Sequence, residues 1–540
     1  MASSTGSDSI SANTPVNSRS RSGSTSASVR SYGTVTIVAS QSRNDSMFKI
    51  PTLDDVITAE DTPLLASANG TSQQVWAIAL KEAWVLIRYA VPIICTMLLE
   101  YSFIVTSVVT IGHLSTEKLA GAALGEITAG VTGLSIIQGF ACALDSLLPQ
   151  AWTGEHPSHV GLWTQRMMIL MTALLVPILA VWLNAEHIYL YLRQDPEVAR
   201  LAALYLKYAS FQLPCFAFNT VIRRYFQAQG LMHVPSLITI VVAPINVTLN
   251  YLLVWGPEPV RLEFIGAPIA TSFSISLMSI LYLTYGFFTP RKAWHPISSK
   301  SFSCLPKLFG MGLVGVGQSA AEWWSWELVS LAASQLGPTT LAAQSVLVVT
   351  SSTAYQVPAA LGVASAVRIG NLLGAGNARE ALVASRVATG LGLIQSLILA
   401  FVMLRCIFMS LHSRLAGLFN NDEAVAKLVS RIVPLLAAYQ IVDGIAAVTA
   451  GILRACGKIA TGALSNFIGY YILGIPLGIY LAFTHHLGLG GLWIGLATAL
   501  AFVAVVLSIV MLRLDWDVQV QEAKERVEAG DGPAEEQIHA

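Results

Sequence analysis

The stretches DPEVARLAALYL (195–206) and RRYFQAQG (223–230) recur in the second half of the chain as DEAVAKLVSRIV (422–433) and GILRACG (451–457). Asp195 and Asp422 lie 227 residues apart, and so do Gly230 and Gly457. Gly266 of FIGAPIAT matches Gly491 of LGGLWIGLAT at 225, and Gly154 of QAWTGE matches Gly376 of LLGAGN at 222, so the spacing barely drifts. A duplicated unit accounts for this. Both copies are almost wholly apolar, and a duplicated hydrophobic half with its site at the interface is the mark of a secondary transporter.

Composition points to the same class. Of 540 residues 54% are hydrophobic and 11% charged, with a mean hydropathy of +0.62, whereas soluble domains carry about 25% charged residues. The formal net charge of zero hides a segregation, because charges gather in the tails and short loops. No basic stripe suggests nucleic acid as a partner. Cys95, Cys142, Cys215, Cys304, Cys406 and Cys456 are scattered with no CxxC pair and read as packing thiols.

Residues 1–75 are rich in Ser, Thr, Asn and Arg without an apolar period, which predicts a disordered cytosolic tail lacking a signal peptide. Within it Glu60, Leu64 and Leu65 of EDTPLL have the form of an adaptor-read sorting signal. From about Trp84 to Arg513 about twelve apolar runs are long enough to cross a bilayer as helices. They begin near Trp84, Lys118, Gln165, Leu201, Val234, Gly266, Pro306, Pro338, Ala381, Lys427, Ile459 and Leu489. The expected organisation is therefore an all-α membrane protein with a six-helix lobe over 76–288, a cytosolic linker over 289–305, a second lobe over 306–513 and a cytosolic tail over 514–540.

With both ends cytosolic, the inner loops are assigned Arg166, Arg223, Arg224, Arg291, Lys292, Lys300, Lys307, Arg368, Arg379, Arg386, Arg454 and Lys458. The outer loops carry fewer, namely Lys118, Arg193, Arg200, Arg261, Arg414 and Lys427, and this bias supports the orientation. Six spans per half means parallel repeats, with the cavity between them.

An acidic side chain at mid-bilayer costs about 2.5 to 3.5 kcal/mol on insertion scales and needs a water-filled cavity, a partner or a proton. The candidates are Glu100, Glu126, Asp145, Glu322, Glu327 and Asp443. Gly315, Gln318, Glu322 and Ser325 recur at helical spacing on one face of the seventh run, while Glu327 falls on a second stripe with Ser330 and Ser334. The two glutamates therefore cannot do identical jobs. Trp323, Trp324 and Trp326 surround them, to hold a cation over their rings or simply to pack. Asp443 has Tyr439 and Gln440 one turn earlier on its face. A carboxylate held away from water takes up a proton more readily, and if cation and proton compete for it, proton entry can drive cation exit. The alternative for each acid is a structural bond between helices. Asp145, near the cytosolic end of the second run beside Pro149, reads as structural or gating.

The runs CALDSLLPQAWTGE, QDPEVARLAALYLKYASFQLP, RRYFQAQG, QVPAALGVASAVRIGNLLGAG, GILRACG and NFIGYYILGIPLGI together resemble the multidrug and toxic compound extrusion (MATE) transporters, in their eukaryotic branch. The similarity covers about residues 84 to 513. The resemblance implies twelve helices in two pseudo-symmetric six-helix lobes and antiport of organic cations or other amphipathic compounds against protons. It also implies that two glutamates five apart in helix seven and one acid in helix ten carry transport, which here are Glu322, Glu327 and Asp443, with Gln318, Trp326, Tyr439, Gln440, Glu100 and Glu126 as candidate cavity residues. Pro358 of QVPAAL joins Asp145 as a gating or structural position. Thr340 stands ahead of LAAQS where animal members have a glutamate, and Glu100 and Glu126 are extra relative to that pattern. The Ser-rich tail looks like that of fungal members.

No G-x-x-x-x-G-K-[ST] occurs and no soluble segment is long enough to bind nucleotide, which disfavours an ATP-driven pump. No H-E-x-x-H occurs, and His156 and His159 of GEHPSH sit in a short loop, so neither enzymatic activity nor a metal or other cofactor is expected. A sodium-coupled antiporter and a lipid or lipid-linked sugar flippase remain the alternative readings. The expected partners are a small organic substrate, the bilayer and an adaptor complex at the N-terminal tail, the chain acting as a monomer. The vacuolar membrane is the expected address if EDTPLL is read, and the plasma membrane otherwise.

Overall fold

The computed structural model describes residues 72–289, 292–410 and 423–528. Glu60, Leu64 and Leu65 lie outside the described residues. The described chain is helical throughout: α1 (Ser72–Gly112), α2 (Glu117–Thr153), α3 (His159–Leu183), α4 (Pro196–Ala209 and Leu213–Ala228), α5 (His233–Trp255), α6 (Gly266–Phe288), α7 (Leu305–Ser334), α8 (Pro338–Gly374), α9 (Ala378–Ser410), α10 (Glu423–Ala455), α11 (Ile459–Thr484), α12 (Leu489–Leu512) and α13 (Trp516–Glu528). Among the described residues ten helices are long and apolar enough to cross a membrane. Helix α4 is broken by the turn Ser210–Gln212. Helix α7 is too polar to qualify by composition, yet its 30 residues span about 45 Å. With these two, twelve helices among the described residues are long enough to cross.

Local chemistry explains the ends. Asp195 caps α4 by accepting from the backbone N–H of Glu197 at 3.0 Å and of Val198 at 3.2 Å, with Pro196 in the first turn. Gly230 and Gly457 close α4 and α10 at φ of 77° and 71°, where L side chains are strained. The following residues complete the same motif, since Leu231 donates to the Phe226 carbonyl and Lys458 to the Leu453 carbonyl. The repeat is thus conformational as well as sequential at this point. At the pair Gly154 and Gly376 it is not: Gly376 has φ 78°, while Gly154 is extended at φ −77°.

Three cores hold the bundle. One unites α2 to α6, another lies within the second half around Tyr439, Trp493 and Leu496, and a third joins the halves, packing Leu86, Ala90 and Ile93 of α1 against Ala360 to Leu373 of α8 and Val448 to Cys456 of α10. Many large apolar side chains face outward, including Val241, Phe273, Ile280, Phe401 and Val505, as expected where the solvent is lipid.

The lobes touch mainly in the half of the bundle nearest the linker. There Ser135–Ala141 of α2 packs on α7 and Leu144–Thr153 packs on α8, while at the far end Thr116–Ala129 packs on α4 of its own lobe. Glycine permits the approach: a Cβ at Gly315 would lie 2.1 Å from the Gly139 carbonyl oxygen. The linker is docked on the first lobe. Arg166, fully buried, donates to the Lys300 carbonyl and to Oγ of Ser303 at 2.7 Å and stacks on Trp163, and Gln165 donates to the His295 carbonyl at 2.6 Å.

Two placements differ from the sequence reading. Helix α1 starts at Ser72, ahead of the apolar run near Trp84, and its early turns carry Glu82, fully buried in an ion pair. Arg166, Arg223, Arg224, Arg368 and Arg454 are not loop charges but lie inside helices, where carbonyls, carboxylates or an aromatic ring answer them.

Candidate functional site

Most acids inside the bundle have a bonded partner. Glu82 takes a two-pronged pair from Arg368, both contacts at 2.8 Å. Glu100 is bonded by Arg223 at 2.6 Å, and Glu126 accepts from the Tyr205 hydroxyl at 2.8 Å. Asp145 lies between lobes, bonded by Nε of Arg224 at 2.8 Å and paired with Nε of Arg454 at 3.3 Å. A small cleft lined by Asp145, Pro149, Arg224, Gln227 and Val363 opens beside it.

Glu322 and Asp443 differ. Among the described residues the Glu322 carboxylate contacts no cation and accepts no side-chain hydrogen bond. Asp443, 4% exposed, is bonded among the described residues by Nε2 of Gln440 alone, at 3.3 Å. The two carboxylates lie within coulombic reach of each other, across the space between α7 and α10, and Tyr355, Tyr439 and Tyr470 lie within reach of both. Arg454 is the guanidinium within reach of Glu322, although its contact is with Asp145. Oε1 of Gln440 and of Gln318 are buried without a hydrogen-bond partner. Gln318 is seated over Gly462, where a Cβ would come 2.4 Å from its Nε2, and its carbonyl accepts from Asn466 at 3.1 Å. The second lobe thus holds two carboxylates near enough to feel each other's charge, with three tyrosine hydroxyls in the same region and two buried amide oxygens on the same helices, a donor set for a proton or a cation.

The remaining candidates fall around this pair. Trp326 packs with Tyr439 and Trp493 at centroid separations of 5.9 and 5.6 Å, and Trp493 donates to Gln344 at 2.9 Å. Trp323 and Trp324 are exposed at 43% and 42%. Glu327 is half-buried on α7, unpaired among the described residues and apart from the Glu322 and Asp443 pair. Pro358 is buried inside α8, where it removes one backbone hydrogen bond. Glu100 and Glu126 lie in the first lobe, each with its own partner, and do not join the pair. Tyr355 and Tyr470 escape a reading of the sequence because a lone tyrosine in an apolar run carries no sign of what it faces.

Twelve crossings in two lobes, with ionisable groups buried between helices, define an integral multi-pass membrane transporter of the secondary class. The MatE family model matches residues 92–252 and again 316–480, one match per lobe. The chain belongs to this family of transporters. It is 36% identical to an uncharacterized transporter of Schizosaccharomyces pombe over 444 residues, covering 82% of this chain and 81% of that one. It is 32% identical to multidrug and toxin extrusion protein 2 of Mus musculus, covering 83% and 77%. The crystal structure of the eukaryotic MATE transporter AtDTX14 superposes with a TM-score of 0.78 at 28% identity, covering 83% of this chain and all of that one.

Proposed function

We propose that this chain is an antiporter that exchanges protons for organic cations or other amphipathic xenobiotics and metabolites, with Glu322 and Asp443 as the groups that bind proton and cargo in turn. The observation that carries this reading is the pair itself: two carboxylates that feel each other's charge and have no cation in contact among the described residues, whereas Glu82, Glu100, Glu126 and Asp145 each have a bonded partner. Two bare like charges that feel each other in a poorly solvated site are unstable, so the site is occupied either by protons or by a cation. Competition of this kind couples the two flows. Glu327, one and a half turns further along α7 towards the far end, meets the cargo on its way in or out. The buried amide oxygens of Gln318 and Gln440 also suit sodium, which makes sodium coupling the second reading.

Both termini are cytosolic in this proposal, which puts the lobe contacts at the cytosolic end. The vacuolar membrane is the address if the tail motif is read, with the plasma membrane as the alternative.

The test is purified protein in liposomes, with movement of a fluorescent organic cation followed under an imposed pH gradient without sodium. Gradient-driven movement lost in both Glu322→Gln and Asp443→Asn is the expected result. Movement indifferent to both substitutions, or driven only by a sodium gradient, overturns proton coupling through this pair.

A further inference from the structure

Helix α13 follows the last crossing and lies outside both stretches matched by the family model. Its buried face, Trp516, Gln519 and Ala523, follows helical spacing and lies against α2, α8 and α9. The side chain that matters is Arg526. Its Nη1 donates to Oε1 of Gln150 on α2, in the first lobe, at 3.1 Å. Its Nη2 donates to the Cys456 carbonyl just past α10, in the second lobe, at 2.8 Å, and to Oε2 of Glu522 at 3.0 Å. Gln150, fully buried, itself donates through Nε2 to the Ala455 carbonyl at 2.7 Å. Glu522 is gripped from the other side by Nζ of Lys458, 3.0 Å from both carboxylate oxygens. One guanidinium thus bonds both lobes at the seam.

The duplication shows that this is an added feature. Gly457 and Gly230 close equivalent helices with the same backbone turn. A Cβ at Gly230 would meet the Tyr89 hydroxyl of α1 at 3.1 Å, whereas one at Gly457 would come within 2.8 Å of Cζ of Arg526. The first copy is covered from within its own lobe. The second is covered by a helix that also reaches the other lobe.

We propose that α13 is a strap across the linker end of the transporter, and that opening this end requires Arg526 to release Gln150. A transporter of this class works by parting its lobes alternately at either end. Parting α2 from α10 leaves Arg526 one lobe to hold, and α13 follows α12 through the short link 513–515. Release is reversible because the guanidinium keeps Glu522, on its own helix, and the Cys456 carbonyl, so no bare charge is created. The proposal rests on the transporter reading but not on the identity of ion or cargo.

Spin-label distances across both ends of the full-length protein, in nanodiscs without substrate, test this. The native cysteines are replaced, and pairs are introduced at Glu155→Cys with Asn377→Cys for the linker end and Arg193→Cys with Gln335→Cys for the far end, all exposed positions. Loss of a hydrogen bond from a charged donor moves a two-state balance by about tenfold. In Arg526→Gln the population with a long linker-end distance is expected to rise by that order while the far-end distance shortens. Gln150→Leu removes the same tie together with the direct bond of Gln150 to the Ala455 carbonyl, so it should shift both distances in the same directions and at least as far, which covers the case in which Arg526→Gln does not fold. Unchanged distributions in the folded variants, or loosening at the linker end with no closing at the far end, overturn the proposal, the second because a merely structural contact behaves in that way. Neither readout depends on transport, so failure of proton coupling and failure of the strap are separately visible.

Discussion

A carboxylate buried in a bilayer persists where its charge is answered, and in this chain the answers differ by residue. Glu82 and Arg368 answer each other, with side-chain exposures of 0% and 6%. Removing one partner leaves a bare buried charge at a cost of about 3–5 kcal/mol, so Arg368→Ala should lower the thermal midpoint in detergent sharply, while paired loss in Glu82→Gln with Arg368→Met should recover much of it. Glu322 and Asp443 have no cation in contact among the described residues, Asp443 having the Gln440 amide beside it and Glu322 only the more distant Arg454. Residues that act as one unit are not additive, so the double variant Glu322→Gln with Asp443→Asn should transport no worse than either single variant. Glu327 stands apart, and Glu327→Gln should raise the half-saturating substrate concentration a few-fold, in the range of one hydrogen bond or weak charge contact, while keeping gradient-driven transport; complete loss would place it in the coupling site. The acids and their one-face stripe were legible in the sequence because charge in an apolar run is conspicuous. Tyr355 and Tyr470 were not, since what distinguishes them is the pair of carboxylates they face.

Helices reveal a different gap between pattern and packing. The starts of the crossings after the first were readable to within a turn or two from the apolar runs and their Pro and Asp signals, as at Pro338 and Asp195. The start of α1 and the burial of Arg166 and Arg368 were not, because a hydropathy pattern counts a charge as exposed whether or not a distant residue satisfies it. Close approach is likewise invisible in one dimension. A Cβ at Gly139 would come within 2.4 Å of the Val316 Cα, a backbone atom that yields little. Gly139→Ala should therefore cost about 1–3 kcal/mol as overpacking does in cores, and because the strain falls on the α2 and α7 contact between lobes, it should destabilise this linker-closed arrangement first. Thermal unfolding with the same linker-end distance pair checks both.

The assembled molecule adds the strap, and its chemistry sets when it holds. Partial burial pushes the Glu522 carboxyl up, but the hydrogen bond and charge of Lys458, together with Arg526, outweigh this and hold it below its ordinary value of 4.5. A depressed carboxyl keeps its stabilising contribution above its unfolded value and loses it as pH falls through the folded one. The strap should thus hold evenly from pH 8 to about 5, and linker-end distances measured over that range with Glu322→Gln and Asp443→Asn in place should not change. What the sequence by itself determined is the class: a duplicated apolar unit with a 227-residue offset can bury its backbone only as helices in lipid, and two such units imply two lobes. What only the tertiary structure decided is which charges are free to work. That depends on partners hundreds of residues away, Glu82 on Arg368, Asp145 on Arg454, Gln150 on Arg526, because electrostatic and hydrogen-bond energies are set by distance in space, which sequence separation does not record.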